Sequence, residues 1–251
     1  MVRYEREGAV GRVVLDRPPL NILDVPMLEA LAAALEQARV DRGLGVLVLS
    51  GEGRAFCAGV DVAAHLASRV RATLTLFHAV VRRVQAFEAP VVALVHGPTL
   101  GGGCELALAC DIVLARDDAT LGQPEIRLGV LPPVAAAILP ARIGRQRALD
   151  LVLTGRTVTA AEALAMGLVA RCWPAESFGA AAASYLADLG GLSRPVLKLA
   201  KRAVLAGTEL CFDEGLSAAE AIYLDELMSL PDPTEGLTAF LEKRAPHWTG
   251  V

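Results

Sequence analysis

Aromatic residues make up only 4 % of this 251-residue chain, and it carries four histidines and five cysteines. His65, His78, His96 and His247 never fall in an H-E-x-x-H spacing, so a zinc site of that kind is excluded and no metal is expected. Cys57, Cys104, Cys110, Cys172 and Cys211 are odd in number, widely spaced and mostly in apolar settings. That argues for buried free thiols and against a disulfide scaffold. There is no G-x-S-x-G for a serine hydrolase and no G-K-[ST] for a phosphate loop. The glycine run at 101–103 is not G-x-G-x-x-G, which leaves a dinucleotide fold without support. A basic excess is missing too: the net charge is −4 and the isoelectric point about 5.6, so no nucleic-acid partner is expected. No apolar run reaches the roughly 18 residues of a membrane span, and the first residues lack the apolar core of a signal peptide. These absences leave a cytoplasmic enzyme or binding protein with no membrane partner.

What is abundant is apolar character, 54 % of residues, with a mean hydropathy of +0.46. That is high for a soluble monomer, and other copies of the chain are the simplest cover for the excess. Strand-like and helix-like segments alternate in the first part. GRVVLDRP (11–18), LGVLVLSGEG (44–53) and PVVALVHG (90–97) read as buried strands. VPMLEALAAALEQARV (25–40) and residues 70–88 have helical periodicity, and a short helix is expected over 102–109. CDIVLARDDATLG looks like a further pair of strands. From about residue 134 the pattern turns mostly helical, through 145–155 and 159–169 to segments near 176–189, 194–207, 213–228 and 233–244. Thr159 is an N-cap candidate, with Glu162 completing a capping box. The plan is an α/β core over 1–190 followed by a helical region over 191–251.

The stretch LGGGCELALAC (100–110) carries the chemistry, because its only charge, Glu105, follows a glycine run into an apolar segment. Glycines after a buried strand let the backbone come close to a ligand. The first N–H groups of the helix that follows have no intrahelical partner and point outward, at the positive end of the helix dipole. Such donors suit a developing oxyanion, each worth about 3 to 4 kcal/mol. The dipole favours a charged Glu105 while burial opposes it, which can leave a pKa useful for proton transfer. GQPEIRLG (122–129) sets Glu125 in a similar context, after a proline and before an apolar run. Two carboxyls in semi-apolar settings can divide the work of general base and general acid. Each alone is more often structural; the glycine run and a second glycine turn at RAFCAG (54–59) favour the catalytic reading.

RAFCAGVD (54–61), GPTLGGGCELALACD (97–111), GQPEIRLGVLP (122–132), LTGRTVTAAEALAMGLV (153–169) and EGLTAFLEKRAP (235–246) together resemble the crotonase superfamily of enoyl-CoA hydratases and isomerases, in order and spacing and over nearly the whole chain. The resemblance implies a spiral of ββα turns with a C-terminal helical trimerisation region, and a homo-trimer or a hexamer built as a dimer of trimers. It implies an acyl-CoA thioester substrate and no cofactor, coenzyme A being part of the substrate. Its oxyanion donors map onto the backbone N–H groups of Ala58 and Gly102, and its catalytic glutamates onto Glu105 and Glu125. Around these, Phe56, Gly59, Asp61, Gly101 and Pro133 fall at substrate-binding positions. Phe240 and Lys243 match positions that meet the coenzyme A nucleotide across a subunit boundary. The lysine often found after the A-G-x-D turn is absent, and Ala63 takes its place.

The chain departs from the usual P-G-x-G-G after the second glutamate, having LPPVAAAILP (131–140), with Pro133 and Ala136 where glycines are common. Proline has no N–H, so a contact made by that backbone group is expected to be lost, and Ala136 is expected to narrow the acyl site. GVDVAAHL (59–66), LFHAVVRRV (76–84), QPEIRLGVLPPVA and NILD (21–24) are similar to the cyclohexa-1,5-diene-1-carbonyl-CoA hydratases. That similarity implies hydration of a conjugated cyclic dienoyl thioester, with His65 and His78 near the acyl pocket or simply packed. The rivals are an open-chain enoyl-CoA hydratase, an isomerase, hydrolase or decarboxylase sharing the oxyanion hole, and a non-catalytic RNA-binding relative of the same fold.

Overall fold

A computed structural model describes residues 1–66 and 69–250. Strands β1 (Val2–Glu7) and β2 (Val10–Leu15) form an antiparallel hairpin. From β2 the main sheet continues in parallel through β3 (Val46–Gly51), β4 (Val91–Val95), β6 (Ile112–Arg116) and β9 (Arg171–Trp173), in the order β1-β2-β3-β4-β6-β9. Strands β5 (Pro98–Leu100), β7 (Thr120–Gly122) and β8 (Thr157–Thr159) make a second small sheet.

The apolar runs of β3 and β4 are explained by burial on both faces. Leu47, Leu49, Val91, Ala93 and Val95 point into the main core, under α1 (Val25–Val40), α2 (Val70–Gln85) and α3 (Gly102–Ala109). Val46, Val48, Val92 and Leu94 point the other way, against Ala182 and Leu186 of α7 (Ala175–Gly190). Helix α1 starts where Asp24 accepts the Met27 N–H at 3.0 Å, and it buries Met27, Leu28, Leu31, Ala34, Leu35 and Ala38 along one stripe.

Helices α4 (Pro133–Ile143) and α5 (Arg145–Thr154) lie between β7 and β8, and α6 (Ala160–Met166) follows β8. Thr159 caps α6 as expected, accepting the Glu162 N–H at 3.2 Å. The box is only half made, because the Glu162 carboxylate turns to Arg156 at 2.8 Å. Beyond α7 come α8 (Arg194–Glu209), α9 (Phe212–Ala221) and α10 (Pro231–Glu242). The helix expected over 213–228 is broken: α9 runs into a π turn at Ile222–Glu226 and a 3-10 turn at Leu227–Ser229. Lys201 of α8 ties this region to the sheet, since its buried ammonium lies 2.7 Å from Asp111 and donates to Phe87 O at 2.7 Å. Fully buried Asp232 holds the end of the chain, accepting from Ser193 Oγ at 2.6 Å and from the Thr249 N–H at 2.8 Å. Among the described residues no helix is long and apolar enough to cross a membrane.

Candidate active site

The glycine run makes a turn between β5 and α3. Gly101 has φ 52° and ψ −129°, a left-handed geometry that glycine adopts without strain, and its N–H is taken by Gly122 O at 2.9 Å. A side chain there would put its Cβ 2.8 Å from Oε1 of Glu125. Gly102 opens α3, and its N–H has no acceptor among the described residues. Its own missing Cβ would stand 2.5 Å from Cγ2 of Val60, so the two chain segments touch here.

That contact corrects one expectation. The Ala58 N–H donates to Leu20 O at 2.9 Å and is not free to meet a substrate oxygen. Leu23 bridges the same segment, its N–H donating to Gly59 O at 2.9 Å and its O accepting from the Asp61 N–H at 3.0 Å. A parallel bridge of this kind leaves the middle residue unused, and Val60 N–H has no acceptor among the described residues. The free donor next to Gly102 is therefore Val60, two residues beyond Ala58. The sequence carries its signal in the spacing to Asp61, but only the pairing with Leu20 and Leu23 decides it.

Glu105 sits in the first turn of α3 and is 3 % exposed. Its Oε1 accepts the Ala135 N–H at 2.8 Å. Burial pushes its pKa up to about 7; the Ala135 and Val134 N–H groups oppose that rise, and the charge on Glu125 adds to it. Glu125 lies half-buried on a 3-10 turn at Pro124–Leu128. Its pKa is also raised, first by burial, against its own backbone N–H and the charge of His65. Its Oε2 is buried with no hydrogen-bond partner among the described residues, as are both amide atoms of neighbouring Gln123. Unpaired buried atoms of this kind cost about 1–3 kcal/mol each, so this pocket is built to receive polar atoms. Gln123 gave no sign of this in sequence beyond its place before Pro124.

The segment around Pro133 forms the start of α4. Pro133 occupies the first position of α4, where the N–H it lacks has no helical partner in any case. The next two N–H groups, of Val134 and Ala135, bear on the Glu105 carboxyl. Ala136 is exposed on α4.

Other expected site residues are divided. Gly59 (φ 129°) lies beside Leu100 O, in the turn that leads to Val60. Phe56 is fully buried and its side chain packs in the core. Asp61 uses its carboxylate to cap the turn at Val62–His65, accepting the Ala63 N–H at 3.1 Å. His65 Nδ1 lies 3.1 Å from Asp61 O. Burial lowers the pKa of His78, whose Nε2 is buried without a partner among the described residues. Phe240 is 82 % exposed on α10 and Lys243 is exposed just past its end. Among the described residues no three metal-binding side chains cluster.

A family profile described as enoyl-CoA hydratase/isomerase matches residues 5–251. The chain belongs to that family. It is an enzyme of the hydro-lyase type, as expected from the motifs, and the crotonase fold is matched as well. The chain is 37 % identical to a probable enoyl-CoA hydratase of Mycobacterium tuberculosis over 257 residues, covering 99 % of this chain and 97 % of that one. It is 38 % identical over 248 residues to the cyclohexa-1,5-dienecarbonyl-CoA hydratase of Thauera aromatica, covering 98 % and 95 %. The crystal structure of an enoyl-CoA hydratase from Bacillus anthracis superposes with a TM-score of 0.94 at 31 % identity, covering 100 % of this chain and 99 % of that one.

Proposed function

We propose that this hydratase adds water across the α,β double bond of an acyl-CoA thioester held between Val60 and Gly102, with Glu105 and Glu125 moving the protons. The observation that carries this is the pairing of two unused N–H groups with one buried and one half-buried carboxyl across one glycine turn. The thioester oxygen accepts both N–H groups. One carboxylate takes a proton from water as its oxygen attacks the β-carbon, and the electron pair moves through the α-carbon onto the thioester oxygen. When the enolate collapses, the partner carboxyl gives its proton to the α-carbon. Between them the glutamates need one proton, and the Glu105 pKa of about 7 keeps one available near neutrality. The chemistry asks for no metal or redox cofactor.

The acyl group we assign is a cyclic conjugated dienoyl such as cyclohexa-1,5-diene-1-carbonyl. Support comes from the NILD, GVDVAAHL and QPEIRLGVLPPVA segments and from the Thauera relative. The identity to that relative, 38 %, barely differs from the 37 % to the mycobacterial hydratase. A paired assay therefore decides: the purified protein is given crotonyl-CoA and the cyclic dienoyl-CoA at equal concentration. Higher kcat/KM on the diene is expected, and preference for crotonyl-CoA reassigns the substrate to open-chain enoyl groups. Hydration of neither would sink the hydratase reading.

The assembly we assign is a trimer or a dimer of trimers in the cytoplasm, with 191–251 as its helical oligomerisation region. Phe212, Leu237, Phe240 and Leu241 are exposed on α9 and α10, too apolar a set to be left in water. Phe240 and Lys243 would then reach the nucleotide of a neighbouring site.

A further inference from the structure

The segment before α1 is hydrogen-bonded along the turn that leads to Val60. Asn21 is fully buried and has φ 52°, a left-handed conformation that asparagine tolerates better than most residues. Its Oδ1 accepts the Arg17 N–H at 2.8 Å. Its Nδ2 lies 2.8 Å from Glu52 O, 2.9 Å from Ala55 O and 3.1 Å from Phe56 O. Two amide hydrogens are thus shared among three carbonyls of one turn.

The backbone on either side repeats the attachment. Arg54 N–H donates to Pro19 O at 3.1 Å, and the bonds of Leu20 and Leu23 to residues 58–61 continue the line. From the opposite side, Phe56 N–H donates to His96 O at 2.9 Å, and the His96 ring Nε2 lies 3.2 Å from Gly53 O. Residues 19–24 therefore act as a template along 52–61. They engage the N–H groups of Arg54, Ala58 and Asp61, and the N–H of Val60, between the last two, has no acceptor among the described residues.

We propose that Asn21 is the positioning residue of the oxyanion hole: its side-chain amide fixes the turn at 52–56 and so holds the Val60 N–H beside Gly102. The proposal rests on the hydratase reading for what the hole does, but the hold of Asn21 on the turn is independent of it. Other residues fail for stated reasons. Aspartate would aim a carboxylate at three carbonyls. Glycine would keep the backbone angle and lose every donor.

Asn21→Gly and Asn21→Asp test this in the full-length protein, with near-ultraviolet circular dichroism confirming that each folds; the aspartate variant serves if the glycine one does not fold. Hydrogen exchange is measured on the amides of 52–61. The carbonyl stretch of bound butyryl-CoA, carrying a 13C thioester carbon, is measured by infrared difference. Turnover is measured in parallel. Wild type is expected to lower the carbonyl frequency relative to free thioester. In the variants the frequency should return toward the free value, exchange over 52–61 should quicken, and kcat should fall on the order of a hundredfold with KM within threefold. Unchanged exchange, or a fall in kcat at the wild-type carbonyl frequency, would overturn the assignment. A wild type that neither hydrates nor shifts the carbonyl strikes the hydratase reading instead, and the exchange data still judge Asn21.

Discussion

Ala135 donates its backbone N–H to Oε1 of Glu105 at 2.8 Å, so the start of α4 caps a carboxyl that belongs to α3. The bond stabilises the charged form that burial penalises. The balance leaves the pKa near 7, which suits a group that must both take and give a proton.

The sign of the pH effect follows from that value. A carboxyl whose folded pKa lies above its unfolded value of 4.5 favours the fold only while protonated. Its contribution is whole below pH 4.5 and is lost as pH rises through about 7. Glu105→Gln, which never ionises, should therefore be the more stable protein at pH 8, by roughly 2–3 kcal/mol, and close to wild type at pH 4.5. Urea unfolding at the two pH values, at one fixed protein concentration, checks this. The same variant and Glu125→Gln should each lose at least about a hundredfold in kcat while still binding acyl-CoA. Near wild-type turnover in either would remove that residue from the mechanism.

Val60 and Gly102 can be tested as a touching pair. Gly102→Ala places a Cβ 2.5 Å from Val60 Cγ2, and the two segments must part. An expected loss of about a hundredfold in kcat follows if each donor is worth the usual amount. Val60→Ala removes the clashing methyl, so the double variant should recover at least tenfold over Gly102→Ala. A double-mutant cycle on kcat/KM reads the coupling; additive losses would separate the two residues. Phe77 Cζ, 3.3 Å from the same Cβ, is expected to keep the recovery partial.

Much of this site was legible in the sequence, and the misses have a common cause. The elements that bear the glutamates follow from local signals: glycine before an apolar helix for Glu105, proline before a short turn for Glu125. Helix α3 lies where expected, over 102–109. What local signals lack is pairing between distant segments. The resemblance points to Ala58 as the donor, and only the pairing with Leu20 and Leu23 shows its N–H taken and that of Val60 free; the burial of Phe56 likewise shows only once the core is formed. Strands β5 and β8 are three residues each, too short to show a period. Strand β1, VRYERE, sits at the sheet edge and is mostly polar, so it lacks the apolar run that marks β3 and β4.

Lys201 is the clearest link between the helical region and the sheet. Its side chain is 8 % exposed, 2.7 Å from Asp111, whose carboxylate also accepts the Val91 N–H at 2.7 Å. Lys201→Met removes the charge and keeps much of the stem. Leaving Asp111 without its cation should cost roughly 3 kcal/mol, less for the share of that carboxylate still open to water. Lys201→Met with Asp111→Asn should recover part of it. Urea midpoints measured at unchanged m-value give the answer. A loss under about 0.5 kcal/mol would class the pair with ordinary surface bridges.

The exposed side chains of α10 make the assembly testable without reference to turnover. Phe240 and Leu241 are 82 % and 80 % exposed in one chain, adjacent in sequence and therefore on neighbouring strips of the helix. Burying both in a subunit contact returns roughly 2–3 kcal/mol each. Phe240→Asp with Leu241→Asp should therefore shift sedimentation toward the monomer at micromolar concentration, with far-ultraviolet circular dichroism unchanged. Lys243→Ala should leave sedimentation as it is and raise KM for acyl-CoA severalfold, because its ammonium would meet the nucleotide of a neighbouring site rather than the contact itself. If the double variant sediments like wild type, α10 lies outside the subunit contact, and the reach of Phe240 and Lys243 to a neighbouring site goes with it.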